Sequence, residues 1–159
     1  MAANPFARIA VAVDGSPYGA RAFEVATDLA GRYQSELTIL AVAPLIPIYV
    51  ASTEAWVPTE VPESEIRHYR QIVDESVAKA KALGLSAVTG VCLEGVIVDE
   101  IIGHLESHPT DLLVVGSRGL SSAKRLLLGS VSDAIAHHVK CPVLIVRGSG
   151  DAAPSSKRS

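Results

Sequence analysis

Two cysteines in 159 residues are too few for a disulfide framework. Cys92 and Cys141 lie in separate apolar runs, in no Cys-x-x-Cys pair and no metal-type spacing, so both read as buried, reduced thiols. A dominant charge is missing too. Fourteen basic residues (14) stand against 17 acidic ones, for a net charge of -3. No chain-wide basic field points to nucleic acid, and any anion site has to be local. Residues 1–6 carry no apolar signal core. The longest apolar stretch, residues 37–51, is shorter than the roughly 20 residues a membrane helix needs and is broken by Pro44 and Pro47. The five histidines show no metal spacing: His104 and His108 are one helical turn apart, but Pro109 ends that helix, and all read as surface residues. These absences leave a reducing, cytoplasmic setting as the simplest one, with no membrane and no nucleic-acid partner.

What is present is an apolar fraction of 48%, enough to bury a sizeable core in one domain. Residues 8–13 form a short apolar run that stops at Asp14-Gly15-Ser16-Pro17, a turn and helix-start cluster. This predicts a first strand buried on both faces. Residues 17–33 repeat apolar side chains at helical spacing (Ala22, Phe23, Ala26, Leu29, Ala30, Tyr33) and predict the first helix. A second strand is expected over residues 36–43. Residues 44–62, with four prolines, Tyr49 and Trp56, form a connection long enough to act as a lid. Residues 63–84 carry Ile66, Tyr69, Val73, Val77, Ala80 and Leu83 on one helical face and stop at Gly84. A third strand over 86–93, a helix over 95–107, a fourth strand over 111–115, a helix over about 131–139 and a fifth strand over 142–146 complete the alternation. Near-continuous apolar strands separated by helices imply an α/β fold: an open five-stranded parallel sheet with helices on both faces, Rossmann-like. Residues 1–147 would form this domain, and the small, polar residues 148–159 a disordered tail.

In such a sheet, ligands sit beyond the carboxyl ends of strands where the strand order reverses. Two loops have suitable chemistry. One is Asp14-Gly15-Ser16. The other follows the fourth strand, where an apolar run feeds Gly116, Gly119 comes three residues on, and Gly129-Ser130 opens a helix, with Arg118, Lys124 and Arg125 between. That arrangement collects backbone N–H groups and positive charge around one point, as a phosphate chain requires. Gly116 and Gly119 let the backbone approach a ligand closely. Ser130, Val131 and Ser132 offer N–H groups at the helix start. Ser130 and Asp133 also fit a capping box, which would consume the same donors without any ligand. Asp14 reads either as a ligand contact or as a helix cap; Ser16, just before Pro17, is the better-placed cap. Lys124 and Arg125 either neutralise phosphate or are solvated loop charges. Trp56 either closes over a base or packs at a dimer contact, or its loop is simply a disordered connection.

The glycine frame is neither a P-loop nor a dinucleotide fingerprint, since Gly-x-x-x-x-Gly-Lys-[Ser/Thr] and Gly-x-Gly-x-x-Gly are both absent. Gly116-x2-Gly119-x9-Gly129-Ser130, with Val11-Ala-Val-Asp14-Gly-Ser16 before it and Cys141-Pro-Val-Leu-Ile-Val146 after it, resembles the universal stress protein family over residues 8–147. Its glycine pattern marks the nucleotide-binding branch of that family. The resemblance implies a five-stranded parallel sheet, a homodimer, and ATP or another adenine nucleotide bound between the loops; Mg²⁺ is an optional companion of the nucleotide. It places Asp14 and Val42 near adenine and ribose, and Val115, Gly116, Gly119, Gly129, Ser130, Val131 and Ser132 around the ribose and phosphates. Arg118 occupies a variable position of the motif. Gly15 and Ser16 belong to the same binding loop as Asp14.

No nucleophile with an adjacent base appears in these loops. The leading expectation is an ATP-binding regulatory module, a dimeric switch in the stress response rather than an enzyme. The alternatives are a slow Mg²⁺-dependent ATPase or phosphotransferase with Ser130 or Ser132 as ligands, a binder of AMP or cyclic AMP, and an interaction protein whose glycines serve packing alone. A response-regulator receiver fits poorly, because only Asp14 is available where an acidic cluster is needed. The fifth strand would end the sheet as an apolar edge, which invites pairing with a second copy.

Overall fold

The computed structural model describes residues 3–45, 48–57, 60–119 and 128–148. Along the chain come β1 (Arg8–Ala12), α1 (Pro17–Tyr33), β2 (Glu36–Pro44), β3 (Ile48–Val50), β4 (Ala55–Val57), α2 (Glu63–Ala82) and β5 (Val88–Gly95). α3 (Ile97–Ser107), β6 (Leu112–Gly116), α4 (Ser130–His138) and β7 (Val143–Val146) follow. Five strands form one parallel sheet in the order β5-β2-β1-β6-β7. From β1 the chain works outward to β2 and β5, then crosses back to β6 and β7. The order therefore reverses between β1 and β6, which is where such sheets open a crevice.

Strand side chains alternate between the two faces, and this splits the core in two. Ile9, Val11, Leu37, Ile39 and Val114 pack beneath α1 and α2 with Phe23, Ala26, Tyr69 and Val73. Ala10, Leu40, Val42, Leu113 and Val115 pack beneath α3 and α4 with Ile101 and Ile135. α1 begins as its sequence predicts. Pro17 occupies the first turn, and the Ser16 hydroxyl accepts the Gly19 N–H at 3.0 Å. α2 has no side-chain cap, but Glu63 and Glu65 in its first turn and Lys79 and Lys81 in its last complement the helix dipole. Among the described residues, no helix is long and apolar enough to cross a membrane.

Four expectations need correction. Residues 44–62 are not one irregular connection: β3 and β4 pair there as an antiparallel hairpin, with Tyr49 opposite Trp56 and their rings 5.4 Å apart. The third sheet strand spans Val88–Gly95 rather than 86–93, because Gly95 (φ 143°) makes the bend and α3 starts only at Ile97. Leu83 lies off the buried face of α2 and is 68% exposed; it follows the last helical turn, in the connection that leads to β5. Cys92 and Cys141 are half-buried free thiols rather than fully buried ones, and burial pushes the pKa of each up. Of the expected tail, residues 149–159 lie outside the described residues.

At the opposite end of the sheet from the crevice, Arg8 clasps Asp111. Its Nη2 and Nε reach the carboxylate at 2.9 and 3.2 Å, and its backbone N–H reaches Oδ2 at 2.8 Å. Hydrogen bonding from the Arg8 side chain holds the Asp111 pKa below its usual value. A carboxylate lowered in this way stabilises the fold above its unfolded pKa, about 3.9. That contribution is lost as pH falls through the folded value. Asp111→Asn is therefore expected to lower the urea midpoint at pH 7 and to converge on wild type in acid. A gap that stays constant from pH 7 to pH 2 would refute this.

Candidate functional site

The crevice follows from unequal strand lengths. β1 pairs with β2 as far as Ala12 opposite Leu40, while β2 continues to Pro44 and β6 to Gly116. Above the end of β1 lies a cavity of about 580 Å³, large enough for a small-molecule ligand.

Asp14 stands at its floor. Oδ1 accepts the Ser16 N–H at 2.9 Å and the Ser16 hydroxyl at 2.5 Å. These bonds close a tight turn through Gly15, whose φ of 81° suits glycine. Oδ2 lies toward the second loop, 3.1 Å from where a Cβ on Gly119 would sit. Asp14 therefore orders α1 and still presents an acceptor to the cavity. Gly15 and Ser16, expected as ligand contacts, do not line the cavity. Ser16 is 1% exposed and engaged as the cap, and Gly15 faces Ile72, whose Cδ1 is 3.1 Å from its virtual Cβ.

Opposite, the end of β6 and the residues just after it deliver Val115, Gly116, Arg118 and Gly119 to the wall, and the start of α4 adds Gly129, Ser130, Val131 and Ser132. The Ser117 N–H bonds Val146 C=O at 2.8 Å, and the Gly129 N–H bonds Ser117 C=O at 2.7 Å. The entry to α4 is thereby strapped to the end of β6. Gly129 is the N-cap residue of α4, with no side-chain cap. The expected capping box is thus not formed. Ser130 is already the first helical residue, and Asp133 faces His137 at 3.5 Å. The first-turn N–H groups of a helix have no intrahelical partner, and here Ser130, Val131 and Ser132 bring theirs to the cavity wall with the positive end of the helix dipole. The Ser132 hydroxyl donates to Gly116 C=O at 2.5 Å, so it is engaged within the fold. The Arg118 guanidinium lies over the Tyr18 ring, 5.9 Å from its centroid. Lys124 and Arg125 lie outside the described residues.

At the other end the wall is apolar, from Leu40 and Val42 of β2, Ile97 and Ile101 of α3, and Ile135 of α4. Successive residues of a parallel strand send their backbone groups to opposite neighbours. The Glu36 N–H reaches Ala7 C=O on the β1 side, whereas the Leu37 N–H reaches Ala87 C=O on the β5 side. Even-numbered residues of β2 thus face β1. Leu40 C=O accepts the Val13 N–H at 2.8 Å. Val42, the next of that set, turns its N–H and C=O toward the crevice above the end of β1. Its expected place near a base thus has a donor and an acceptor side by side.

The sequence model described as the Universal stress protein family matches residues 5–147. The chain belongs to that family. A relative, the universal stress protein YxiE of Bacillus subtilis, is 37% identical over 150 residues, covering 89% of this chain and 99% of its own. Among solved structures, the universal stress protein UspA from Lactobacillus plantarum superposes with a TM-score of 0.77 at 24% identity, covering 89% of this chain and 98% of its own. A universal stress protein in complex with cAMP superposes at 0.66 with 29% identity, covering 91% and 98%. The family's five-stranded parallel α/β fold is the fold of this chain.

Sequence reasoning missed several residues of the wall in this universal stress protein. Gly19 of α1, Tyr69 of α2, and Ile97 and Ile101 of α3 all line the cavity. Tyr69 reads in sequence only as an apolar position of its helix. For Gly19, Ile97 and Ile101 the available signal is placement: each stands in the early turns of a helix that follows the carboxyl end of a parallel-sheet strand, the end at which the crevice opens, whereas α2, which carries Tyr69, follows the hairpin strand β4.

Proposed function

We propose that this universal stress protein binds an adenine nucleotide, ATP foremost, and acts in the cytoplasm as a dimeric, nucleotide-dependent regulatory module. The observation that carries this reading is the two-ended cavity. Three helix N–H groups suit phosphate at one end, and apolar walls beside the Val42 backbone suit a purine at the other. A relative in complex with cAMP supports the ligand class. Val42 would donate to a ring nitrogen of adenine and accept from its amino group. Mg²⁺, where it accompanies the phosphates, would meet the Ser130 hydroxyl more readily than that of Ser132, which already bonds Gly116. Among the described residues the loops supply binding groups but no nucleophile paired with a base, so on this reading the nucleotide is held rather than efficiently consumed. Its occupancy acts through differential affinity for two states of the protein. A second copy would add at β7, a short edge strand whose Leu144 is 36% exposed.

Equilibrium dialysis against labelled ATP, AMP and cyclic AMP tests the ligand. Binding of at least one is expected, with a rise in stability of about 2.7 kcal/mol at a hundredfold excess over its dissociation constant. No binding of any of the three at millimolar concentration overturns the reading. Sedimentation velocity tests the dimer, and a monomer at high micromolar concentration would exclude it.

A further inference from the structure

We propose that Tyr69 is a specificity-determining contact of the nucleotide site, its hydroxyl donating a hydrogen bond to a ring nitrogen of the bound base. The inference rests on the nucleotide reading above and deepens it by adding a wall that neither glycine-rich loop provides.

Tyr69 lies on α2, which packs over β2 and β5. It is 9% exposed, yet it lines the cavity. Its ring packs edge-on against His68, with centroids 5.3 Å apart. Its hydroxyl has no hydrogen-bond partner among the described residues. Their buried side-chain nitrogens and oxygens are all partnered, so an unpartnered hydroxyl has to be one that reaches open space. For a side chain so deeply packed and on the cavity wall, that space is the cavity. A buried polar group without a partner is costly unless water or a ligand completes it.

The neighbours set the direction of the bond. Burial raises the Tyr69 pKa, and the negative charges of Asp14 and Glu65 push it the same way, so the phenol keeps its proton and donates. Asp14, as a carboxylate, only accepts. A donor beside an acceptor matches the heteroatom edge of a purine, which offers ring nitrogens and an exocyclic amine. The position is compatible as well: β2 is flanked by α2 on one face and α3 on the other, so a base at the Val42 backbone would meet Ile97 and Ile101 from one side and Tyr69 from the other.

The test is calorimetric titration of the full chain and of Tyr69→Phe with ATP, 7-deaza-ATP and 3-deaza-ATP, together with thermal unfolding without nucleotide. The substitution removes one oxygen and keeps the ring. Tyr69→Phe is expected to bind ATP about five- to tenfold more weakly, the usual worth of one hydrogen bond. With the deaza analogue that lacks the contacted nitrogen, the two proteins should bind alike. The ligand-free unfolding temperature should not fall, because no bond within the protein is lost. ATP bound equally by both proteins overturns the proposal, as does a penalty that persists undiminished with both analogues. A lower ligand-free unfolding temperature would assign the hydroxyl to the fold instead and overturn it too. Failure of the wild-type chain to bind ATP would overturn the nucleotide reading and this assignment with it, and is thereby told apart from failure of the assignment alone.

Discussion

Gly116→Val is expected to destabilise the protein by about 3 kcal/mol, at the upper end of what overpacking costs, and to abolish nucleotide binding. A Cβ at position 116 would stand 2.8 Å from both the carbonyl carbon and the oxygen of Tyr18. These are backbone atoms in the first turn of α1, so no rotamer relieves the clash. The turn is itself pinned by Pro17, by the Ser16 cap and by the bonds from Ser16 to Asp14. Accommodating valine requires α1 to lift from β6, and that movement displaces Asp14 from the cavity floor. Urea unfolding with the binding assay checks both parts. Gly103→Ala is the matched control: Gly103 lies within α3, a Cβ there would meet nothing within 4 Å, and alanine suits a helix better than glycine by up to about 1 kcal/mol. A Gly116→Val protein as stable as wild type would mean that α1 is not seated against β6 as described.

Ser132→Ala is expected to cost about 1–2 kcal/mol of stability and to raise the dissociation constant for ATP about tenfold, equivalent to about 1.4 kcal/mol. Ser132 is 5% exposed, and its hydroxyl donates to Gly116 C=O. That carbonyl belongs to the set on β6 that faces β1, and β1 has already ended, so the helix supplies the partner the sheet lacks. Removing the hydroxyl leaves an unsatisfied carbonyl beside the cavity and loosens the first turn of α4 relative to β6. The N–H groups proposed to bind phosphate then lose their fixed aim. Ser130→Ala separates this role from capping. Ser130 makes no cap bond, so its truncation should change stability by no more than about 0.5 kcal/mol. Denaturant titration of the two variants decides between the roles, and a larger loss from Ser130 would restore the capping box.

Much of the site could be read one residue at a time. Ser16 before Pro17 announced a cap because hydroxyl and proline geometry is local. Gly116, Gly119 and Gly129 stood out because close backbone approach excludes side chains. Ser130 was harder, since Ser-x-x-Asp fits a capping box whether or not the helix begins one residue earlier. The frame decided that: the Gly129 N–H bonds to Ser117, which makes Gly129 the cap residue. Gly15 and Ser16 sat in the right loop but on its inner side, because a tight turn has to spend some of its polar groups on itself. Tyr69 gave no functional signal at all. An apolar helical face looks the same in sequence whether its phenol ends against protein or in open space.

By itself, then, the sequence determined the alternation of strand and helix, the two loops that carry polar chemistry, and the helix start at Ser16. Each of these depends on neighbours within a few residues. Only the tertiary structure decided that β1 ends before β2 and β6, that Val42 and Gly116 therefore turn backbone groups into the gap, and that Tyr69 reaches it from α2. Those facts depend on strand register and helix packing between segments distant in the chain, where hydrogen bonding and side-chain volume are settled jointly and no short window of sequence records the outcome.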